Sequence, residues 1–153
     1  MPTAYIGIGS NIGDRHAIIR RAVTAIKSRI DSEARVSDPY ESPAWGYESP
    51  NTYINICVAA RTDLSPLALF GELQAIQHSI SPAPHRAPDG TYIDRAIDID
   101  LIAVDDAVID TPELTLPHPR MHLRPFVLVP MAQLAPGWRH PILGKSISDL
   151  LDQ

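Results

Sequence analysis

The chain divides by the period of its apolar positions. Thr3 to Ile8 is a short, nearly continuous apolar run that predicts a strand, followed by the turn-rich Gly9-Ser10-Asn11-Ile12-Gly13-Asp14. From Arg15 to Ile30 the spacing becomes helical: Ile18, Ala22, Ile26 and Ile30, with Ile19 and Val23 beside them, form one stripe, and Asp14 stands ready to cap it. Ala34 to Glu41 predicts a second strand, ending at Ser42-Pro43-Ala44-Trp45-Gly46-Tyr47. Thr52 to Arg61 predicts a third with clean alternation: Ile54, Ile56, Val58 and Ala60 on one face, Tyr53, Asn55, Cys57 and Ala59 on the other. Ser65-Pro66 opens a second helix striped by Leu69, Leu73, Ile76 and Ile80. After a loop from Ser81 to Ile93, alternation returns in Arg95 to Ile102, where Ile97, Ile99 and Leu101 oppose Asp98 and Asp100.

Beyond that strand, Asp105-Asp106 predicts a tight turn into Ala107 to Asp110 as a hairpin, and Leu114 to Leu116 a further extended piece. Pro125 can open a helical stretch through Phe126, Leu128 and Met131, and Ser146 can cap a last helix carrying Ile147, Leu150 and Leu151. No repeat and no linker interrupts the order, so residues 1–153 are expected to form one domain. The order strand-helix-strand-strand-helix-strand predicts an α+β fold, a ferredoxin-like sandwich. Its mainly antiparallel sheet should carry helices on one face and the active site on the other.

Charge narrows the function classes. A net charge of -5 argues against a nucleic-acid surface. Yet Leu114 to Ser148 holds no acidic residue while it carries Arg120, Arg124, Arg139, Lys145, His118, His122 and His140, which suggests a local anion site. Cys57 is the single cysteine, so no internal disulfide is possible, and the N-terminus lacks a signal-peptide pattern. No apolar run approaches membrane-spanning length, and a cytoplasmic location is expected. The 15 prolines, roughly twice the usual share, cluster between elements and point to shaped loops.

The candidate chemistry lies in the acidic strand. Carboxylates two residues apart on one strand face stand roughly 6.5 to 7 Å apart, a spacing suited to hard cations, and magnesium is commonly held by one or two carboxylates plus substrate phosphates. Tyr53 and Asn55 share that face if the strands share a sheet. Two other readings remain open on the residues alone. One is a different metal-dependent nucleotide transferase or hydrolase on a similar sheet; the other is a ligand-sensing or protein-binding module in which Asp98 and Asp100 are merely solvated. Usual nucleotide loops are missing: Gly7 begins a dinucleotide-like pattern that fails at Ile12, and Gly144-Lys145-Ser146 ends like a phosphate loop but has Arg139 where its first glycine belongs.

Five segments, Ala4-Tyr5-Ile6-Gly7-Ile8-Gly9-Ser10-Asn11, Ser42-Pro43, Tyr53-Ile54-Asn55, Arg95-Ala96-Ile97-Asp98-Ile99-Asp100-Leu101 and Leu116-Pro117-His118-Pro119, together resemble the 6-hydroxymethyl-7,8-dihydropterin pyrophosphokinases of folate biosynthesis. The resemblance implies transfer of diphosphate from ATP to the pterin hydroxymethyl group, releasing AMP. It implies that Asp98 and Asp100 bind two magnesium ions, and that Arg95, His118 and Arg124 hold phosphate oxygens while Gln74, Leu101 and Thr115 border the nucleotide. The pterin would lie against Tyr53 and Phe126, with Asn55 and the backbone of Ser42, Pro43, Ala44 and Trp45 reading its polar edge. The implied partners are thus two small molecules, ATP and the pterin, with no nucleic acid and no membrane, and the chain is expected to act as a monomer.

The sequence departs from that family around the long loop. Gln77 stands for a glutamate, Tyr92, Ile93 and Asp94 for a tryptophan followed by Gly-Pro, and Pro119 for an aromatic residue. The loop offers only His85 and Arg86 in place of two arginines, and Arg86 is expected to serve as the catalytic loop arginine.

Overall fold

The central strand β1 (Thr3–Ser10) pairs antiparallel with β4 (Tyr53–Arg61) on one side and with β5 (Asp98–Val104) on the other. The computed structural model describes residues 1–44, 47, 49–81, 88 and 94–152. Two short strands, β2 (Arg35–Val36) and β3 (Tyr40–Ser42), complete the sheet along the far edge of β4, giving the order β2-β4-β1-β5 with β3 also on β4. This is the expected α+β sandwich with an antiparallel sheet. The predicted strand from Ala34 to Glu41 is interrupted, however, for a physical reason. Pro39 has no N–H to give a ladder, and Ser37 supplies its hydroxyl to the Cys57 N–H at 2.8 Å while its own N–H reaches the Cys57 carbonyl.

Helices α1 (Arg15–Arg29) and α2 (Pro66–Ile80) begin at the foreseen caps, Asp14 and Ser65, whose side chains accept from the Ala17 and Ala68 N–H groups. Both cover one face of the sheet. Ile19, Ala22 and Ile26 of α1 and Leu69, Leu73 and Ile76 of α2 meet Ile6, Ile8, Ile54, Ile56, Val58, Ile97, Ile99 and Leu101 in one core. Burying a side chain of this kind contributes about 1.5 to 3 kcal/mol. An Arg29–Glu72 ion pair at 3.1 Å ties the two helices at the surface.

The opposite face departs from the expectation that helices cover one side only. Helix α3 (Pro125–Leu134) and the short α4 (Ile147–Leu151) roof one end of it, enclosing Tyr5, Cys57, Ala59, Ile102, Ala103, Met121, Leu128, Met131 and Leu150. Trp138 packs edge-on against Tyr5 and donates to the Asp105 carbonyl, a structural anchor. The other end of the face stays uncovered by these helices and forms the cavity described below. The hairpin after Asp105-Asp106 also differs: β6 (Ile109–Asp110) pairs forward with β7 (Thr115–Leu116), not back with β5. Asp105 takes a left-handed φ of 44° at the turn. No helix among the described residues is long and apolar enough to cross a membrane.

The boundary between the two halves of this face is a β-bulge. The partner of Tyr5 is Ala103 but that of Ile6 is Leu101, so Ile102 is the extra residue of β5. Before the bulge, alternate positions Asp98 and Asp100 face the cavity; Ile102 and Ala103, adjacent in sequence, then both join the roofed cluster. The Ile102 carbonyl accepts the His118 N–H at 2.7 Å, which ties the segment after β7 to the acidic strand.

β5 lies at a sheet edge, and its Ile99 N–H is taken by Gln77 Oε1 at 2.7 Å from the last turns of α2. Gln77→Leu removes that acceptor and is expected to lower stability by about 1 to 2 kcal/mol, read as a shift of the chemical-denaturation midpoint. Gln77→Glu, which keeps an acceptor, should restore most of it.

Candidate active site

Register across three strands builds the site. Asn55 of β4, Gly9 of β1 and Asp98 of β5 lie in one row, and Cys57, Gly7 and Asp100 in the next. Neighbouring strands are about 4.8 Å apart, so Asn55 and Asp98 flank a trough whose floor is bare backbone. A Cβ at Gly9 would stand 3.0 Å from Asn55 Oδ1 and 3.3 Å from the Tyr53 ring, closer than either permits without moving. The absent side chains at Gly7 and Gly9 thereby leave a cavity of about 360 Å3. Within it meet Ser42, Pro43, Tyr53, Asn55, Arg95, Asp98, Asp100, His118, Arg124 and Phe126, ten of the residues singled out from sequence.

One end of the cavity is aromatic and amide-rich. Asn55 Nδ2 donates to the Tyr40 carbonyl at 3.1 Å and to Ser42 Oγ at 2.8 Å, which uses both amide hydrogens and turns Oδ1 toward the trough. The Tyr53 hydroxyl lies 3.3 Å from that of Tyr47, and burial together with that contact pushes its pKa well above the ordinary tyrosine range. Phe126 forms part of the same wall, with the Arg124 guanidinium 5.6 Å from its ring centroid. A planar ligand bearing hydrogen-bond groups along one edge suits this end.

The other end is charged. Arg95 Nη1 is 3.1 Å from Asp98 Oδ1. Asp100 is partly exposed to the cavity, but the surrounding protein makes its anion costly and raises its pKa; Arg124 and Arg95 act in the opposite direction. A divalent cation is the natural complement of such a pair. Among the described residues no group of three or more acidic, histidine or cysteine side chains could hold a metal, so a cation here would take its remaining ligands from water and substrate.

His118 carries no charge at neutral pH. Burial, and then Arg124, lower its pKa to about 4 despite the opposing pull of Asp98. Its Nδ1 accepts the Arg120 N–H at 3.2 Å, so the neutral ring carries its proton on Nε2. The grouping of His118 with the cations is therefore corrected: it can offer an anion a hydrogen bond but no charge.

Other expected site residues stand apart from the cavity. Leu101 is buried in the helix-side core, because the alternation that aims Asp100 at the cavity turns Leu101 away. Gln74 lies exposed on α2, on that far face, and Thr115 is exposed on β7. Ala44 borders a shallower neighbouring hollow with Pro43, Tyr47 and Ser49. Trp45 and Arg86 fall outside the described residues, as do His85, Tyr92 and Ile93. Arg120, read from sequence only as part of the basic segment, also lines the cavity, and Gly7, Gly9 and Tyr47 line it without having been given a site role. The glycines had a signal, two residues without side chains at alternate positions of an apolar strand, which the failed dinucleotide pattern obscured.

Comparison with known proteins bears on the family and the fold. The profile of the 7,8-dihydro-6-hydroxymethylpterin-pyrophosphokinase family matches residues 5–136. A Porphyromonas gingivalis 2-amino-4-hydroxy-6-hydroxymethyldihydropteridine pyrophosphokinase is 37% identical over 142 residues, covering 92% of this chain and 95% of that protein. A Synechocystis protein of the same name is 40% identical over 152 residues, covering 98% and 75%. Among solved structures, a substrate complex described as HPPK-DHPS superposes with a TM-score of 0.73 at 12% identity, over 99% of this chain and 43% of that one. The Plasmodium falciparum wild-type HPPK-DHPS with pteroate gives 0.74 at 13%, over 99% and 42%. This chain thus spans less than half of those two longer chains, and at such identity the likeness concerns the fold.

In the ligand-free protein, nuclear magnetic resonance should find the His118 imidazole titrating near pH 4, with the proton of its neutral form on Nε2. Between about pH 4 and 6.5 the unfolded chain takes up a proton at this histidine that the folded protein does not. The group therefore makes stability rise with pH across that window and adds no dependence above it. A midpoint near 6.5 or an Nδ1 tautomer would contradict the assignment.

Proposed function

The chain belongs to the 7,8-dihydro-6-hydroxymethylpterin-pyrophosphokinase family, and we propose that it transfers the terminal diphosphate of ATP to 6-hydroxymethyl-7,8-dihydropterin in folate biosynthesis. The observation that carries this reading is the Asn55–Gly9–Asp98 row, which joins an aromatic amide slot to an acidic pair within one cavity. In the reaction the hydroxymethyl oxygen bonds to the β-phosphorus of ATP, the bond from that phosphorus to the α,β-bridging oxygen breaks, AMP departs and the hydroxyl proton is released. Phosphoryl-type transfer depends mainly on positioning and charge neutralisation, and the residues divide along those lines.

Tyr53 and Phe126 hold the pterin ring between them, Asn55 Oδ1 accepts from its edge, and the backbone of Ser42, Pro43, Ala44 and Trp45 reads the remaining polar groups. Asp98 and Asp100 would hold magnesium, two ions in this reading, beside the polyphosphate. When bound, magnesium neutralises phosphate charge and orients the attacking and leaving oxygens. Arg95 and Arg124 contribute fixed positive charge to phosphate oxygens, His118 contributes its Nε2–H, and Arg120 at the cavity rim adds a further cation. Leu101 and Thr115 border the nucleotide through backbone groups at the β5 and β7 edges, with Gln74 as an outer neighbour. Arg86, from the loop before β5, completes the charge around the transferred group. The chain acts as a monomer in the cytoplasm, in keeping with a lone buried cysteine.

Two measurements test this. AMP formation from ATP and magnesium should depend on added pterin, fall more than about a hundredfold in Asp98→Asn, as expected for loss of a metal ligand, and fall more than about tenfold in Arg86→Ala. ATP consumption without pterin dependence would refute the substrate. Separately, Gly9→Ala should raise the pterin KM about tenfold or more by displacing Asn55 and Tyr53, with the thermal midpoint little changed. An unchanged pterin KM would remove the trough from the argument.

A further inference from the structure

Asp94 does not line the cavity, yet two segments remote in sequence, one at Asn11 and one spanning Tyr47 to Asn51, converge on its carboxylate. Oδ1 accepts from Asn11 Nδ2 at 2.8 Å and from the Tyr47 hydroxyl at 2.9 Å; Oδ2 accepts from Asn51 Nδ2 at 2.7 Å. A carboxylate suits this arrangement because its two oxygens offer about four lone-pair sites and no donor. An amide in its place would turn an NH2 group toward one of these donors.

Two lines of contact lead from this carboxylate into the cavity. Along the first, the Tyr47 hydroxyl is 3.3 Å from the Tyr53 hydroxyl, and both rings wall the slot. Along the second, Asn11, only 2% exposed, grips Arg95 at two points. Its N–H donates to the Arg95 carbonyl at 3.0 Å, and its Oδ1 accepts the Arg95 N–H at 2.7 Å. Arg95 in turn reaches Asp98 at 3.1 Å.

We propose that Asp94 is a positioning residue for the reaction: its carboxylate fixes the Tyr47 and Tyr53 rings relative to Arg95 and Asp98, so that aromatic slot and acidic pair are set as one unit. The inference rests on the pterin reading of the slot. Burial works to raise the Asp94 carboxyl, but the converging donors together hold it below the usual range, so it is ionised and accepts charge-assisted bonds at neutral pH.

The test is a double-mutant cycle on pterin binding, measured by calorimetry with the full chain preloaded with magnesium and a nonhydrolysable ATP analogue. Asp94→Ala is expected to weaken pterin binding about tenfold and Tyr47→Phe about threefold, as for loss of bonds to a charged acceptor. Asp94→Ala combined with Tyr47→Phe should lose less than the two single losses combined, because both changes remove the same Tyr47–Asp94 hydrogen bond, while the Tyr47 hydroxyl also accepts from Asn11 Nδ2 at 3.1 Å. Affinity for the analogue should stay within about twofold in Tyr47→Phe and fall less than pterin affinity in Asp94→Ala, a split that general loss of structure would not produce.

Pterin affinity of Asp94→Ala within twofold of wild type overturns the assignment, as do losses that add in the double variant. Should Asp94→Ala be unfolded at the assay temperature, Tyr47→Phe decides: about threefold weaker pterin binding supports the proposal, and unchanged binding overturns it. A wild-type protein that binds the analogue but no pterin would overturn the functional reading itself, and this assignment with it.

Discussion

Everything at the site depends on β1 being paired on both sides while carrying no side chain on its cavity face at Gly7 and Gly9. Hydrogen-bonded strands fix their neighbours to within a fraction of an ångström, so residues on β4 and β5 inherit their separation from the ladder and need no direct contact. Asn55 and Asp98 are held apart by one strand's width on each side of Gly9, and that gap is the space a ligand occupies. The same strand supplies Ile6 and Ile8 to the core beneath. Burial of the helices and geometry of the site are therefore one constraint, since a slip of one residue in either ladder would exchange the core and cavity faces.

Charge is arranged on that frame with little redundancy. Arg95 stands beside Asp98, Arg124 and Arg95 oppose the desolvation of Asp100, and His118 is kept neutral by the same burial and by Arg124. A neutral donor beside fixed cations has a clear advantage where polyphosphate must both arrive and leave: its hydrogen bond adds direction without adding charge. The aromatic end adds no charge to this balance, because Tyr53 stays protonated and Asn55 presents an oxygen in a fixed orientation.

Much of this was legible in the sequence because it follows period two. The faces of β4 and the acidic alternation of β5 placed Tyr53, Asn55, Asp98 and Asp100 on one side, and the helix stripes identified the side beneath. Caps at Asp14 and Ser65 were equally readable, being local chemistry. What escaped was nonlocal. The roof of α3 and α4 depends on where the chain returns after β7, which no period encodes. Tyr47 and Arg120 enter the cavity through tertiary placement, and the Asp94 network joins residues more than 80 positions apart. The ten residues recovered in the cavity came from alternation and from family resemblance together, whereas Gln74, Leu101 and Thr115 came from resemblance alone and lie off its walls.

The extra residue at Ile102 resets the phase of β5. Upstream of it, the odd and even positions of the strand are divided between solvent chemistry and oil; downstream, the parity is reversed, and the position that would have continued the acidic row belongs to the roof. The strand is in effect two strands spliced out of step, one answerable to substrate and the other to packing. Ile102, the next position of that row, reaches both the cavity and the roof, so β5 closes its pair of carboxylates with a hydrocarbon wall.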